Sequence, residues 1–119
     1  MGKNLNMNGP FELSIKVVDE NVKKDKIGNY ALGYEKNNVF YVCYVGRSDN
    51  DLNKRIKDHI GENSKYKCFK YSYADNVKDA YEKECKNWHE FGGENGSLIN
   101  EIHPDKPNDK DCNCPICGE

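Results

Sequence analysis

A glutamate stands where the pattern asks for an apolar side chain. At about 100° per residue, Val77, Ala80, Tyr81, Trp88 and Phe91 share one stripe of a helix predicted from about Val77 to Phe91, and Glu84 falls in the middle of it. A carboxylate rarely faces a core unless it is paired or binds a metal ion. A second predicted helix, from a cap at Ser48-Asp49-Asn50-Asp51 to about Ile60, packs through Leu52 and Ile56 and carries Arg55 and His59 four residues apart on its flank. Tyr30 and Tyr44 belong to adjacent predicted strands. Together these are the parts for phosphodiester hydrolysis. A guanidinium would stabilise the pentacoordinate phosphate, a carboxylate would hold a divalent cation, and a phenol or imidazole would take the proton from water. The plainer alternatives are a slightly rotated stripe, or Glu84 at its wet end near a lysine, and a His59 that is an ordinary surface residue.

These side chains need a scaffold, and 119 residues with 36% apolar content supply one small domain. Phe11, Leu13, Ile15 and Val17 alternate with polar residues and predict a half-buried strand, followed by a solvated connector from Asp19 to Lys26. A second strand runs from Asn29 to Tyr34, and Glu35 to Asn38 supplies a polar hairpin turn. The stretch from Val39 to Val45 is apolar on both faces and is expected at the centre of the sheet. Gly61 is placed to end the first helix, Cys68 to Tyr73 predicts another strand with Phe69, Tyr71 and Tyr73 on one face, and Gly92-Gly93 ends the long helix.

Composition bounds the partners. Eighteen basic against twenty acidic residues give a net charge of −2, which excludes a protein that coats nucleic acid through an overall basic field. A nucleic-acid contact would be local: Arg47, Lys54, Lys57, Lys65, Lys67 and Lys70 concentrate positive charge after Tyr44 and could meet backbone phosphates, or could simply be a solvated face. Arg47 and Arg55 are the two arginines among sixteen lysines, which suggests positions needing a planar, multi-donor cation. No apolar run is long enough to span a bilayer and the N-terminus lacks a signal-peptide core, so a cytoplasmic, membrane-free protein is expected.

Without a secretory signal, the six cysteines read better as metal ligands than as disulfides. Cys114-Pro115-Ile116-Cys117 is a knuckle able to wrap zinc, and Cys85 and His89, four apart on the long helix, could complete a Cys₃His site. His103 and Cys112 are the substitute ligands. Such a staple would order a tail that cannot build its own core. The alternatives are a flexible reduced tail and a thiol redox role.

In order along the chain, these elements resemble the GIY-YIG endonuclease superfamily. Gly28-Asn29-Tyr30 is similar to its first motif, with Asn in place of the usual apolar middle residue, and Tyr44-Val45-Gly46 is similar to its second. Arg55, nine positions after Gly46, matches the helix arginine, His59 the His-or-Tyr position one turn on, Glu84 the metal-binding glutamate, and Asn100 the later asparagine. The resemblance covers Gly28 to about Asn100. It implies an α+β fold, a three-stranded antiparallel sheet flanked by helices, to which this chain adds an N-terminal strand and a zinc-stapled tail. The expected organisation is a strand and charged connector over 1–27, the nuclease-like domain over 28–100 and a loop-rich tail over 101–119.

The resemblance further implies Mg²⁺- or Mn²⁺-dependent cleavage of DNA, in repair, recombination or restriction. Tyr30, Tyr44, Arg55, His59 and Glu84 would line one concave face, with Tyr30 the leading general base, Tyr44 assisting and His59 the competing base. Gly28 and Gly46 would be structural. Specificity would come from a protein partner or a homodimer. The rival expectation is a non-catalytic nucleic-acid or protein binding module on the same fold, stabilised by structural zinc.

Overall fold

The computed structural model describes residues 7–90, and Phe91, Asn100, His103, Cys112, Cys114 and Cys117 lie outside them. The chain runs β1 (Asn8–Glu12), α1 (Ile15–Asn21), β2 (Gly28–Lys36), β3 (Val39–Ser48), α2 (Leu52–Lys57), β4 (Cys68–Tyr73) and α3 (Val77–Glu90). The strands form one antiparallel sheet in the order β1-β4-β2-β3. The α+β class expected from sequence is what forms, with the N-terminal strand added at the β4 edge. Among the described residues no helix is long and apolar enough to cross a membrane.

Three local expectations change. The strand expected over Phe11 to Val17 stops at Glu12, because Ser14 caps a helix instead: its Oγ accepts from the Val17 amide at 3.3 Å. The helix wins by burying Val18 completely and Val22 almost so, one turn apart, while Ile15 is left 61% exposed. The first three residues of the expected loop, through Asn21, therefore belong to α1.

β3 is an edge strand rather than the central one; β2 lies between it and β4. Its two apolar faces have a different cause. A register shift opposite Leu32 and Gly33 leaves Cys43 as an extra residue, so Cys43 and Tyr44 both join the cluster around Tyr30, Leu32, Leu52 and Ile56. Val42 and Val45 face the other way and pack with Ala31 and Trp88 of α3. The β2–β3 turn places Asn37 and Asn38 at φ 55° and 64°, the left-handed pair of a tight hairpin turn.

α2 is shorter than expected. Its cap is Asp51, whose Oδ1 accepts from the Lys54 amide at 3.2 Å, while Ser48 closes β3 and accepts from the Asp51 amide at 2.9 Å. After Lys57 the chain tightens: His59 and Ile60 donate to carbonyls three residues back, and Gly61 (φ 81°) ends the turn. Arg55 stays exposed on the helix, whereas His59 is turned inward. α3 opens on Asn76, whose side-chain oxygen accepts from the Asp79 amide at 2.8 Å.

Candidate active site

β2 and β3 place the two phenols. Tyr30 lies opposite Gly46 and Leu32 opposite Tyr44, so the Tyr30 and Tyr44 rings share a face and stack with centroids 6.0 Å apart. Gly46 is the floor of this arrangement. A Cβ there would fall 2.5 Å from both Cζ and Oη of Tyr30, so only glycine lets the ring lie flat across the strand. Gly28 is constrained in the same way by the Ser72 carbonyl and the Leu52 side chain. Gly28 and Gly46 are thus glycines because of close approaches.

His59, 4% exposed, closes the face from the end of α2. Its Nε2 is 2.7 Å from the Tyr30 hydroxyl, and its ring packs against Tyr44 and Tyr66 at 4.8 and 6.2 Å. Burial, followed by the neighbouring Tyr44, holds the Tyr30 hydroxyl well above the usual phenol range, and the Arg55 guanidinium pulls it partly back. Tyr44 is raised by burial and lowered by Arg55. Tyr30 is consequently a neutral phenol at rest. It needs a proton acceptor beside it before it can act as a base, and His59 stands there.

Glu84 projects from the buried side of α3 and is 8% exposed. Its Oε1 accepts from Nη1 of Arg47 at 2.6 Å, and Nε of Arg47 donates to Asp49 at 2.8 Å while its guanidinium lies 5.2 Å from the Tyr81 ring centre. Burial pushes the Glu84 carboxyl up to about 7, against the pull of Arg47 and, more weakly, of Arg55. The pair is still a strong charge-assisted hydrogen bond, because the guanidinium of Arg47 is itself raised by Asp49 and Glu84 despite its burial. Although α2 and α3 pack on opposite faces of the sheet, Glu84 acts electrostatically on Tyr30 and Tyr44, and Arg55 on Glu84.

The other cations divide. Arg47, expected on phosphates, is engaged by two carboxylates and its side chain is 11% exposed. Lys57 is tied to Asp19 at 2.8 Å, and Lys70 lies 5.4 Å from the Phe40 ring centre. Lys54, paired with Asp58 at 3.3 Å, keeps 72% of its side chain exposed, and Lys67 is exposed too. Asn29, the unusual middle residue of the first motif, is buried and donates to the Ala80 carbonyl of α3 at 2.8 Å, fastening the helix that carries Glu84 to β2. Sequence reasoning missed Glu62, whose Oε1 lies 2.8 Å from Nδ1 of His59; its place three residues after His59 was the available signal.

Of the expected zinc ligands, Cys85 is fully buried beside Tyr81, and the His89 ring stands edge-on to Trp88. Cys114 and Cys117 lie outside the described residues. Among the described residues no group of three or more His, Cys, Asp or Glu is gathered as a metal cage. The class defined by these elements is an α+β domain whose sheet carries helices on both faces. No family model matches the chain, and no curated protein or solved structure matches it.

Proposed function

We propose that this chain is a metal-dependent endonuclease that hydrolyses DNA phosphodiester bonds. One observation carries the reading: the buried Tyr30 phenol is hydrogen-bonded at 2.7 Å to the buried His59 imidazole, with the Arg55 guanidinium favouring its ionised form. Tyr30 would receive the proton of the attacking water, and His59 would take the phenol's own proton. Arg55, exposed beside both phenols, would carry the charge of the pentacoordinate phosphate. Glu84 would hold Mg²⁺ or Mn²⁺, which supplies Lewis-acid stabilisation of the leaving oxygen when bound. Lys67 and Lys54, both exposed and the latter in a surface pair with Asp58, would meet the DNA backbone. Repair, recombination or restriction of DNA, with a protein partner or a second copy supplying specificity, is the biological setting this chemistry suits. Incubating the protein with Mg²⁺ or Mn²⁺ and linear, flapped and branched DNA tests the reading. Absence of cleavage, or cleavage that persists in Glu84→Ala, defeats it.

Metal binding should report the protonation of Glu84. A cation must displace the proton, so below pH 7 the Mn²⁺ affinity measured by calorimetry is expected to fall by about tenfold per pH unit, levelling off above it. Glu84→Gln should show weak binding without that slope.

The Arg47–Glu84 pair favours a second reading, in which the carboxylate is structural and the domain binds nucleic acid or protein without cutting. That reading expects salt-dependent DNA binding unaffected by Glu84→Ala, and no cleavage. Under either reading we assign structural zinc to Cys85, His89, Cys114 and Cys117. Elemental analysis of the purified chain is expected to find about one zinc per molecule, lost in a Cys114→Ser, Cys117→Ser double variant.

A further inference from the structure

Tyr30, His59 and Glu62 lie in series. The Tyr30 hydroxyl is 2.7 Å from His59 Nε2, and His59 Nδ1 is 2.8 Å from Glu62 Oε1. The imidazole is enclosed by Tyr30, Tyr44 and Tyr66, whereas the Glu62 side chain is 52% exposed. An ionised carboxylate can only accept, so the nitrogen facing Glu62 carries the hydrogen. In the neutral ring the lone pair then sits on Nε2, and the Tyr30 hydroxyl must be the donor to it.

Resting on the nuclease reading, we propose that Glu62 is a positioning residue: it fixes His59 in the Nδ1–H tautomer, so that Nε2 is kept open for the proton of Tyr30. Tyr30 and His59 are then two members of one relay rather than competing bases. As water attacks phosphorus, its O–H bond breaks toward the Tyr30 oxygen while the phenolic O–H bond breaks toward His59 Nε2. Hydroxide adds to phosphorus as the bond from phosphorus to the leaving oxygen breaks, its electron pair staying on that oxygen, which takes a proton from solvent; one proton resides on the imidazole, its charge facing the Glu62 carboxylate. On turnover the Nε2 proton passes back to Tyr30 as the phenol releases one to water. Without Glu62 the ring is free to carry its hydrogen on Nε2, where it would donate to Tyr30 and block the transfer.

Imidazole ¹⁵N spectroscopy, together with DNA cleavage kinetics, tests this. In the wild type His59 should show a protonated Nδ1 and an unprotonated Nε2. Glu62→Ala should move the hydrogen toward Nε2 and lower kcat by about tenfold to a hundredfold with KM for DNA unchanged. In Glu62→Gln the side-chain carbonyl can still accept from Nδ1–H, so that variant should keep the tautomer and recover most of the rate. A wild-type His59 protonated at Nε2, or a Glu62→Ala protein that cuts within twofold of wild type, overturns the relay while leaving the nuclease reading intact. A wild-type protein that cuts no DNA overturns both.

Discussion

Glu84→Gln is expected to lower cleavage by at least about a hundredfold while leaving the fold in place. The amide has the same shape and its oxygen can still accept from Arg47, so the 2.6 Å contact survives and only the negative charge is lost. Because burial disfavours the charge that is removed, stability at neutral pH should be no lower than that of the wild type. The pH dependence separates the two proteins further. The folded carboxyl keeps its proton up to about 7, whereas the unfolded one releases it near 4.5, so between those values the folded state binds more protons than the unfolded. Wild-type stability should therefore fall as pH rises from 4.5 to 7, and the Gln variant should lack that component. Thermal melts across this range, read beside cleavage rates, check both statements; equal cleavage by the two proteins would remove Glu84 from the chemistry.

Gly46→Ala is the second large effect. The added methyl would sit 2.5 Å from the Tyr30 ring and hydroxyl, and neither the β3 backbone, paired to β2, nor the fully buried ring has room to yield. Overpacking of this kind costs about 1–3 kcal/mol. The displaced phenol would also leave His59, and a shift of roughly 1 Å in a reacting group can cost about a hundredfold in rate. Melting temperature, near-ultraviolet circular dichroism of the tyrosines and cleavage kinetics should all change together. An unaltered aromatic spectrum would show that Gly46 does not hold Tyr30 as described.

What could be read from the residues depended on how local the determinant was. The β2–β3 hairpin, β4 and α3 follow from β-branched and aromatic runs, a polar turn and a 3.6-residue stripe; all form, with β2 and β3 each longer than expected. The inward turn of Glu84 was legible for the same reason, since periodicity alone marks a carboxylate out of place. Where two periods overlapped, as at Phe11 to Val17, one serine capping a helix decided the outcome, and alternation misled. The edge position of β3 was hidden because burial by helices from both sides imitates burial by neighbouring strands. The engagement of Arg47 by Glu84 was hidden because the two lie 37 residues apart in sequence. Glu62 was overlooked because its significance depends on which nitrogen of His59 faces Tyr30, a matter of three-dimensional orientation.

The short helix α1 has a consequence for the boundaries of the functional unit. Val18 and Val22 sit in the same cluster as Leu52 and Ile56, Asn53 donates to the Val22 carbonyl at 2.8 Å, and Tyr71 donates to the Asn21 carbonyl at 2.8 Å. The helix bearing Arg55 is thus braced from outside the segment that contains the two motifs. A fragment begun at Gly28 would uncover apolar side chains beneath α2 and loosen the support of its guanidinium. A piece that keeps α2 supported must reach back at least to α1.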